Sequence, residues 1–137
     1  MQSALAASLV SEWHSLPSEV RSAPASEAAI AAFERANGRI PVEYRQFLVQ
    51  CGGGPVGSEW IDGIGKLCAT HAKFKAECGP GGWSNCNVFV IGWDGAGNPI
   101  SIDPTGAVVV EDHNFGGVHV LASSFIEFLS KGLGHAL

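Results

Sequence analysis

Hydrophobic residues along the chain change period about two-thirds of the way through. Leu5, Leu9, Trp13 and Leu16 recur at four, four and three residues, the stripe of one helix over 3–16 that Pro17 ends. Residues 17–26 carry little apolar content and read as a linker. Ser26 then caps a second helix with Glu27 in its first turn. Ile30, Phe33 and Ala36 form its inner face, and Asn37-Gly38 supplies a left-handed stop. Ile40-Pro41 starts a third helix, because the missing amide proton of Pro41 costs nothing at the first helical position. Its inner face is Tyr44, Phe47, Leu48 and Cys51, and Gly52-Gly53-Gly54-Pro55 ends it.

The middle of the chain is broken by Gly57, Gly63, Gly65, Gly79, Gly81 and Gly82. Within it the spacing predicts a short helix over 67–77, with Leu67, Thr70, His71 and Phe74 on one side, and a brief strand at Trp60-Ile61. From Val88 the period becomes that of strands. Val88-Phe89-Val90-Ile91 is a buried-strand run, Ile100-Ser101-Ile102-Asp103 alternates, and Pro104-Thr105-Gly106 turns into Ala107-Val108-Val109-Val110-Glu111. Val118-His119-Val120-Leu121 adds a fourth strand. Ser124-Phe125-Ile126-Glu127 has capping-box spacing, and it opens a closing helix lined by Phe125, Phe128 and Leu129. Helices, then an antiparallel meander, then a helix define one α+β domain over 1–137.

Composition narrows what such a domain can do. Of 137 residues, 46% are apolar and 15% charged, against roughly 25% charged in an average soluble protein. Intrinsic disorder is excluded on that balance. The formal charge of −5 argues against a surface built for nucleic-acid phosphates. No stretch reaches the ~18 apolar residues of a membrane span. The apolar start lacks a basic flank, so no secretory signal is expected, and the cytoplasm is the expected compartment. There Cys51, Cys68, Cys78 and Cys86 are expected as reduced thiols.

Charge and glycine are both unevenly spread. Residues 87–137 carry Asp94, Asp103, Glu111, Asp112 and Glu127 against Lys131 alone, a net −4. Nine of the 18 glycines lie between positions 52 and 82, so loop freedom concentrates in the middle segment.

Motifs that would carry catalysis fail on inspection. Cys68, His71, Cys78 and Cys86 could supply four zinc ligands, but they lack the paired knuckles of zinc modules and read as buried or partly exposed thiols. No Gly-x-Ser-x-Gly elbow exists, and no signature surrounds a nucleophilic cysteine. Gly63-Ile64-Gly65-Lys66 lacks the first glycine and the Ser/Thr of a P-loop. Asp94-Gly95-Ala96-Gly97-Asn98 lacks the third-position ligand and the closing carboxylate of a calcium loop. Glu111 and Asp112 are neighbours that a strand would point to opposite faces, and Asp94 and Asp103 stand at turn entries, where Asp bonds its own backbone. The chain is expected to be no enzyme and to need neither cofactor nor metal.

Several of these pieces occur together in one family. Ile40-Pro41-Val42-Glu43-Tyr44-Arg45-Gln46-Phe47-Leu48 with Gly52-Gly53-Gly54 resembles the helix signature of the SUKH superfamily. Val90-Ile91-Gly92-Trp93-Asp94-Gly95-Ala96-Gly97-Asn98 is similar to that family's hairpin. Ile102-Asp103 with Gly106-Ala107-Val108 is similar to its next strand pair, and Leu121 to Leu129 is similar to its closing helix. The likeness spans about residues 26–133. It departs at Cys51-Gly52, and residues 56–86 match nothing in the family's pattern, which makes them the place for a specificity of this chain's own.

The resemblance implies a non-enzymatic α+β binding module. Bacterial members are mostly immunity proteins that neutralise a cognate polymorphic toxin, often a nuclease or deaminase, by direct binding. Fungal relatives regulate cell-wall synthesis through protein contacts, so a regulatory scaffold without a toxin is the alternative. For a toxin partner, Asp94, Asp103, Glu111 and Asp112 would steer a basic protein, and Trp60, Trp83 and Trp93 would anchor it if exposed or fill the core if not. Neither nucleic acid nor a membrane is an expected partner. The oligomeric state stays open.

Overall fold

A computed structural model describes residues 7–134. Met1 to Ala6, and with them Leu5 of the first stripe, lie outside the described residues. Helix α1 (Ala7–His14) is followed by a single 3₁₀ turn, Ser18–Val20. Helices α2 (Glu27–Asn37) and α3 (Val42–Gln50) come next, then a small hairpin of β1 (Gly54–Val56) and β2 (Glu59–Ile61). Helix α4 (Ile64–Glu77) leads into the main sheet, β3 (Phe89–Trp93), β4 (Pro99–Ile102), β5 (Val108–Glu111) and β6 (Val118–Ala122), and α5 (Phe125–Gly132) closes the chain. The sheet is an antiparallel meander in the order β3-β4-β5-β6.

Local chemistry explains the helix ends. The Ser26 hydroxyl accepts from the Ala29 amide at 3.1 Å, and the Ser124 hydroxyl accepts from Glu127 at the same distance. The Glu127 carboxylate reaches back to the Ser123 amide at 3.1 Å, so the last helix is capped reciprocally, one residue earlier than a strict capping box. Pro41 stands just outside α3, one position earlier than the sequence suggests, and Val42 is the first helical residue.

The linker expected over 17–26 is a strap. The Ser22 amide donates to the Gly53 carbonyl at 2.7 Å and the Ala25 amide to Leu48 at 2.8 Å, which binds the segment across the end of α3. The middle helix starts three residues before the expected one, because Gly63 takes an extended N-cap conformation and frees Ile64 to begin the turn.

The core lies between one sheet face and the helices. Ile100, Ile102, Val108 and Ala122 join Trp13, Ile30, Tyr44, Phe47, Leu48, Phe125 and Leu129 in one cluster. Its aromatic rings meet edge to face, with Phe47 at 5.2 Å and Tyr44 at 5.5 Å from Phe125, and Trp13 at 4.8 Å from Phe47. A second cluster of Phe74, Trp83 and Val90 covers part of the opposite sheet face.

His71 ties α4 to the sheet. It is buried against Phe33 and Phe89 and donates from Nε2 to the Val90 carbonyl at 2.8 Å. Burial lowers its pKa from the ordinary 6.5, the Val90 carbonyl opposes that shift, and Lys75 adds to it. The folded state therefore favours the neutral ring. Between the lowered folded pKa and 6.5 the unfolded chain binds more protons, so stability falls as pH drops below about 6.5. Urea midpoints measured from pH 7 to pH 5 should show this loss in the wild type and a flatter profile in His71→Gln.

Candidate protein-binding surface

The sheet's second face gathers most of the polar and aromatic residues that stand out in the sequence. Residues 78–88 fold over it. The Gly79 amide donates to the Trp83 carbonyl at 3.1 Å and the Trp83 amide to Glu77 at 3.0 Å, a tight loop in which Gly79 (φ 108°) and Gly81 (φ 84°) are left-handed. A Cβ on Gly82 would lie 1.7 Å from the Glu77 carbonyl oxygen, so no side chain fits there. This fold-back brings Cys78 and Cys86 to a Cα separation of 6.0 Å, and the two are disulfide-bonded.

That bond corrects the expectation of four thiols. The sequence separation of eight hides the proximity, which the glycine turn creates. The zinc quartet is absent as well: Cys78 and Cys86 are joined, His71 is committed to Val90, and Cys68 is exposed. Among the described residues no group of three or more His, Cys, Asp or Glu is placed to hold a metal ion. Cys51 is a free thiol sealed in the core, its pKa pushed up to about 11 by burial. A nucleophile needs the opposite shift.

Trp83 is buried beneath the loop and donates from its indole nitrogen to Glu77 at 3.0 Å. Its ring lies 6.3 Å from Trp93 and 6.1 Å from His113. Trp93 is half-buried and carries the Lys73 ammonium 4.3 Å from its ring centroid, a cation–π contact. Trp60 is 55% exposed on β2 and takes no part in this cluster. Of the three tryptophans named as anchors, one is bare, one half-covered and one packed.

The carboxylates hold local structure first. Asp94 accepts from the Ala96 and Asn98 amides at 2.9 and 2.8 Å, and from the Asn98 side chain at 3.1 Å. Buried Asn98 in turn accepts from the His113 amide at 3.0 Å and from the His113 ring. The β3–β4 turn is thereby pinned to the β5–β6 turn. Glu111 accepts from the Ser84 amide and hydroxyl, each at 2.9 Å, and from the Asn85 amide at 3.0 Å, latching the 78–88 segment to the sheet. Burial raises its pKa, but these donors outweigh burial and leave it below the ordinary carboxylate value. Asp112 is held low by the Phe115 and Asn114 amides. Asp103, lowered chiefly by the Thr105 hydroxyl, caps the β4–β5 turn.

Topology separates these acids. In a meander alternate hairpins lie at opposite ends, so Asp94 and Asp112 share one end and Asp103 stands at the other. The acidic surface is therefore smaller than the run of acids along the chain suggests. Its centre is an open pocket of about 590 Å³ walled by Trp83, Glu77, Glu111, Asp112, His113 and Lys73. Three carboxylates face one ammonium there, an environment for cationic groups.

Beside this pocket lies a feature the sequence does not flag. Phe115 is 89% exposed at the tip of the β5–β6 turn, Val120 is 67% exposed, and Val118 is 42% exposed. The alternation of Val118-His119-Val120 identifies a strand. It does not tell that the strand ends the sheet.

A family model for the SMI1 / KNR4 family (SUKH-1) matches residues 24–131. The chain belongs to the SUKH-1 family. No curated protein matches the chain. The SUKH-1 match takes in the last residues of the strap, all the strands and nearly all of α5, but begins after α1 and after Ser22, so Trp13 is a core residue contributed from outside the matched region. It also runs through the 78–88 segment, which gives the pocket its aromatic wall. No helix among the described residues is long and apolar enough to cross a membrane.

Proposed function

We propose that this SUKH-1 protein is an immunity protein of a bacterial polymorphic toxin system. It acts in the cytoplasm and neutralises a basic cognate toxin, a nuclease or deaminase, by stoichiometric binding and without a cofactor. The observation that carries this reading is the pocket of Trp83, Glu77, Glu111 and Asp112 beside exposed apolar residues. An aromatic and acidic depression with an apolar rim suits the desolvated anchors and charge steering of a protein interface. Catalysis would need an activated nucleophile or an acid–base pair. Here the carboxylates accept backbone amides, and the buried thiol is shifted away from reactivity.

In a reducing cytoplasm the Cys78–Cys86 bond is open to reduction. The loop keeps its own supports, since Glu111 and the Trp83–Glu77 bonds hold it independently of the sulfurs.

The test is co-expression with the toxin encoded beside the gene, followed by gel filtration. Relief of killing and a 1:1 complex are expected; unrelieved killing and no complex would sink the reading. The double variant Glu77→Gln, Asp112→Asn keeps both hydrogen-bonding shapes and removes two charges. It should weaken toxin binding about tenfold, mainly through a slower and less salt-sensitive association rate.

A further inference from the structure

The second sheet face is covered over three strands and bare over the fourth. Val90 pairs with Ser101, Ser101 with Val109, and Val109 with Val120, so these four side chains form a row across one face. The first three are 0%, 2% and 3% exposed, and Val120 is 67% exposed. Val118 is two residues from Val120 on the same face and pairs directly with Glu111, whose carboxylate lines the pocket. The other end of the sheet is occupied: the Asp62 amide, just after β2, donates to the Ile91 carbonyl of β3 at 2.8 Å. Among the described strands β6 has a neighbour on one side only. Proteins usually blunt such an edge with lysine, proline or a short strand. Here the edge reads Val-His-Val, with Gly116-Gly117 before it, and the register shift of the β5–β6 pair comes only after it, between Val120 and Ala122.

We propose that β6 is a docking edge for an extended, basic segment of the partner, which adds as a fifth strand of the sheet. Its main chain pairs with β6, its apolar side chains cover Val118 and Val120, and an arginine or lysine at an alternate position reaches the Glu111–Asp112 pocket. An added strand lies about 10 Å from β5 across β6. An arginine and a glutamate together span that distance.

Charge selects this occupant over a second copy of the chain. Residues 87–137 hold five carboxylates with Lys131 as their only lysine or arginine. Pairing two β6 edges would bring two sets of Glu111 and Asp112 together with no lysine or arginine of the sheet to offset them. The proposal rests on the protein-binding reading of this face and specifies how the partner is held.

Its test uses the full chain and two synthetic peptides whose every second residue, all on one face of a strand, reads valine, valine and then arginine in the basic peptide or glutamate in the acidic one, with threonine between them. NMR titration with the basic peptide should shift amides of residues 109–122 and slow exchange at alternate amides of β6. The acidic peptide should bind at least tenfold more weakly. Val120→Asp, at an exposed position, should keep the wild-type melting temperature and lose at least tenfold in basic-peptide affinity. Basic-peptide shifts elsewhere, or affinity unchanged in Val120→Asp, would overturn the proposal, even if the adjacent toxin binds. Docking of the basic peptide on β6 together with failure of the toxin to bind would uphold the edge and remove the immunity reading. A dimer of the free protein that Val120→Asp dissolves would assign the edge to a second copy and overturn the partner proposed here.

Discussion

Trp13→Ala should cost about 3–5 kcal/mol of folding stability, the range for removing a fully buried large aromatic. Trp13 is 0% exposed, meets the Phe47 ring edge-on at 4.8 Å, and donates its indole N–H to the Cys51 carbonyl at 3.1 Å. The backbone of Gly54 closes over the same ring: a Cβ there would lie 3.2 Å from two of its carbons. Truncation thus opens a cavity among α1, the end of α3 and the start of β1, and leaves the Cys51 carbonyl without its indole donor. For a chain of this size the loss corresponds to a melting-temperature drop of roughly 10–15 °C by calorimetry. Trp13→Phe keeps the ring contact and loses the hydrogen bond, so it should cost about 1–2 kcal/mol. A Trp13→Ala protein that melts with the wild type would show that α1 is dispensable, although the SUKH-1 match already omits it.

Gly52→Ala should be nearly as damaging, for a backbone reason. Gly52 has φ 103°, a conformation that costs an alanine strain. Its Cβ would also stand 2.2 Å from the Ser22 carbonyl oxygen and 2.8 Å from that of Ala23. Neither atom belongs to a side chain that could turn away. Relief requires displacing the strap, whose Ser22–Gly53 and Ala25–Leu48 bonds hold it against α3. Strain and lost bonds together predict about 3 kcal/mol or more of destabilisation in chemical denaturation. Gly95→Ala is the control, since Gly95 has nothing within 4 Å of its Cβ and no positive φ. It should melt within about 1 °C of wild type. Equal stability of the two variants would show that the strap is not held in this position.

The two variants probe what lies beneath the proposed binding face. Trp13 and the strap brace α3, whose Tyr44 and Phe47 meet Phe125 under the sheet. The second sheet face is braced separately by Phe74, Trp83 and Val90 and by the Glu111 latch. Charge variants at Glu77 and Asp112 should therefore change binding and leave stability close to wild type, whereas core variants should change stability first.

By itself the sequence determined the helices, the four-stranded meander, their order and the α+β class, because those depend on contacts between near neighbours, but it did not show β1 (Gly54–Val56). Ser26 and Ser124 cap the helices they precede, Tyr44, Phe47 and Leu48 are buried, Asp94 and Asp103 serve their own turns, and the SUKH resemblance drawn from four short motifs holds over residues 24–131. What it could not contain are relations between distant residues. The Cys78–Cys86 bond depends on a loop doubling back on Gly79 and Gly81. Glu111 meets Ser84 and Asn85 across 27 and 26 positions, so a strand-end acid becomes a latch. Asp103 parts from Asp94 and Asp112 because a meander sends alternate turns to opposite ends. Val120 is bare while Val109 beside it is sealed, since cover depends on which strand ends the sheet. Hydrophobic period tells a strand from a helix; only the packed sheet decides which side of a strand is left for a partner.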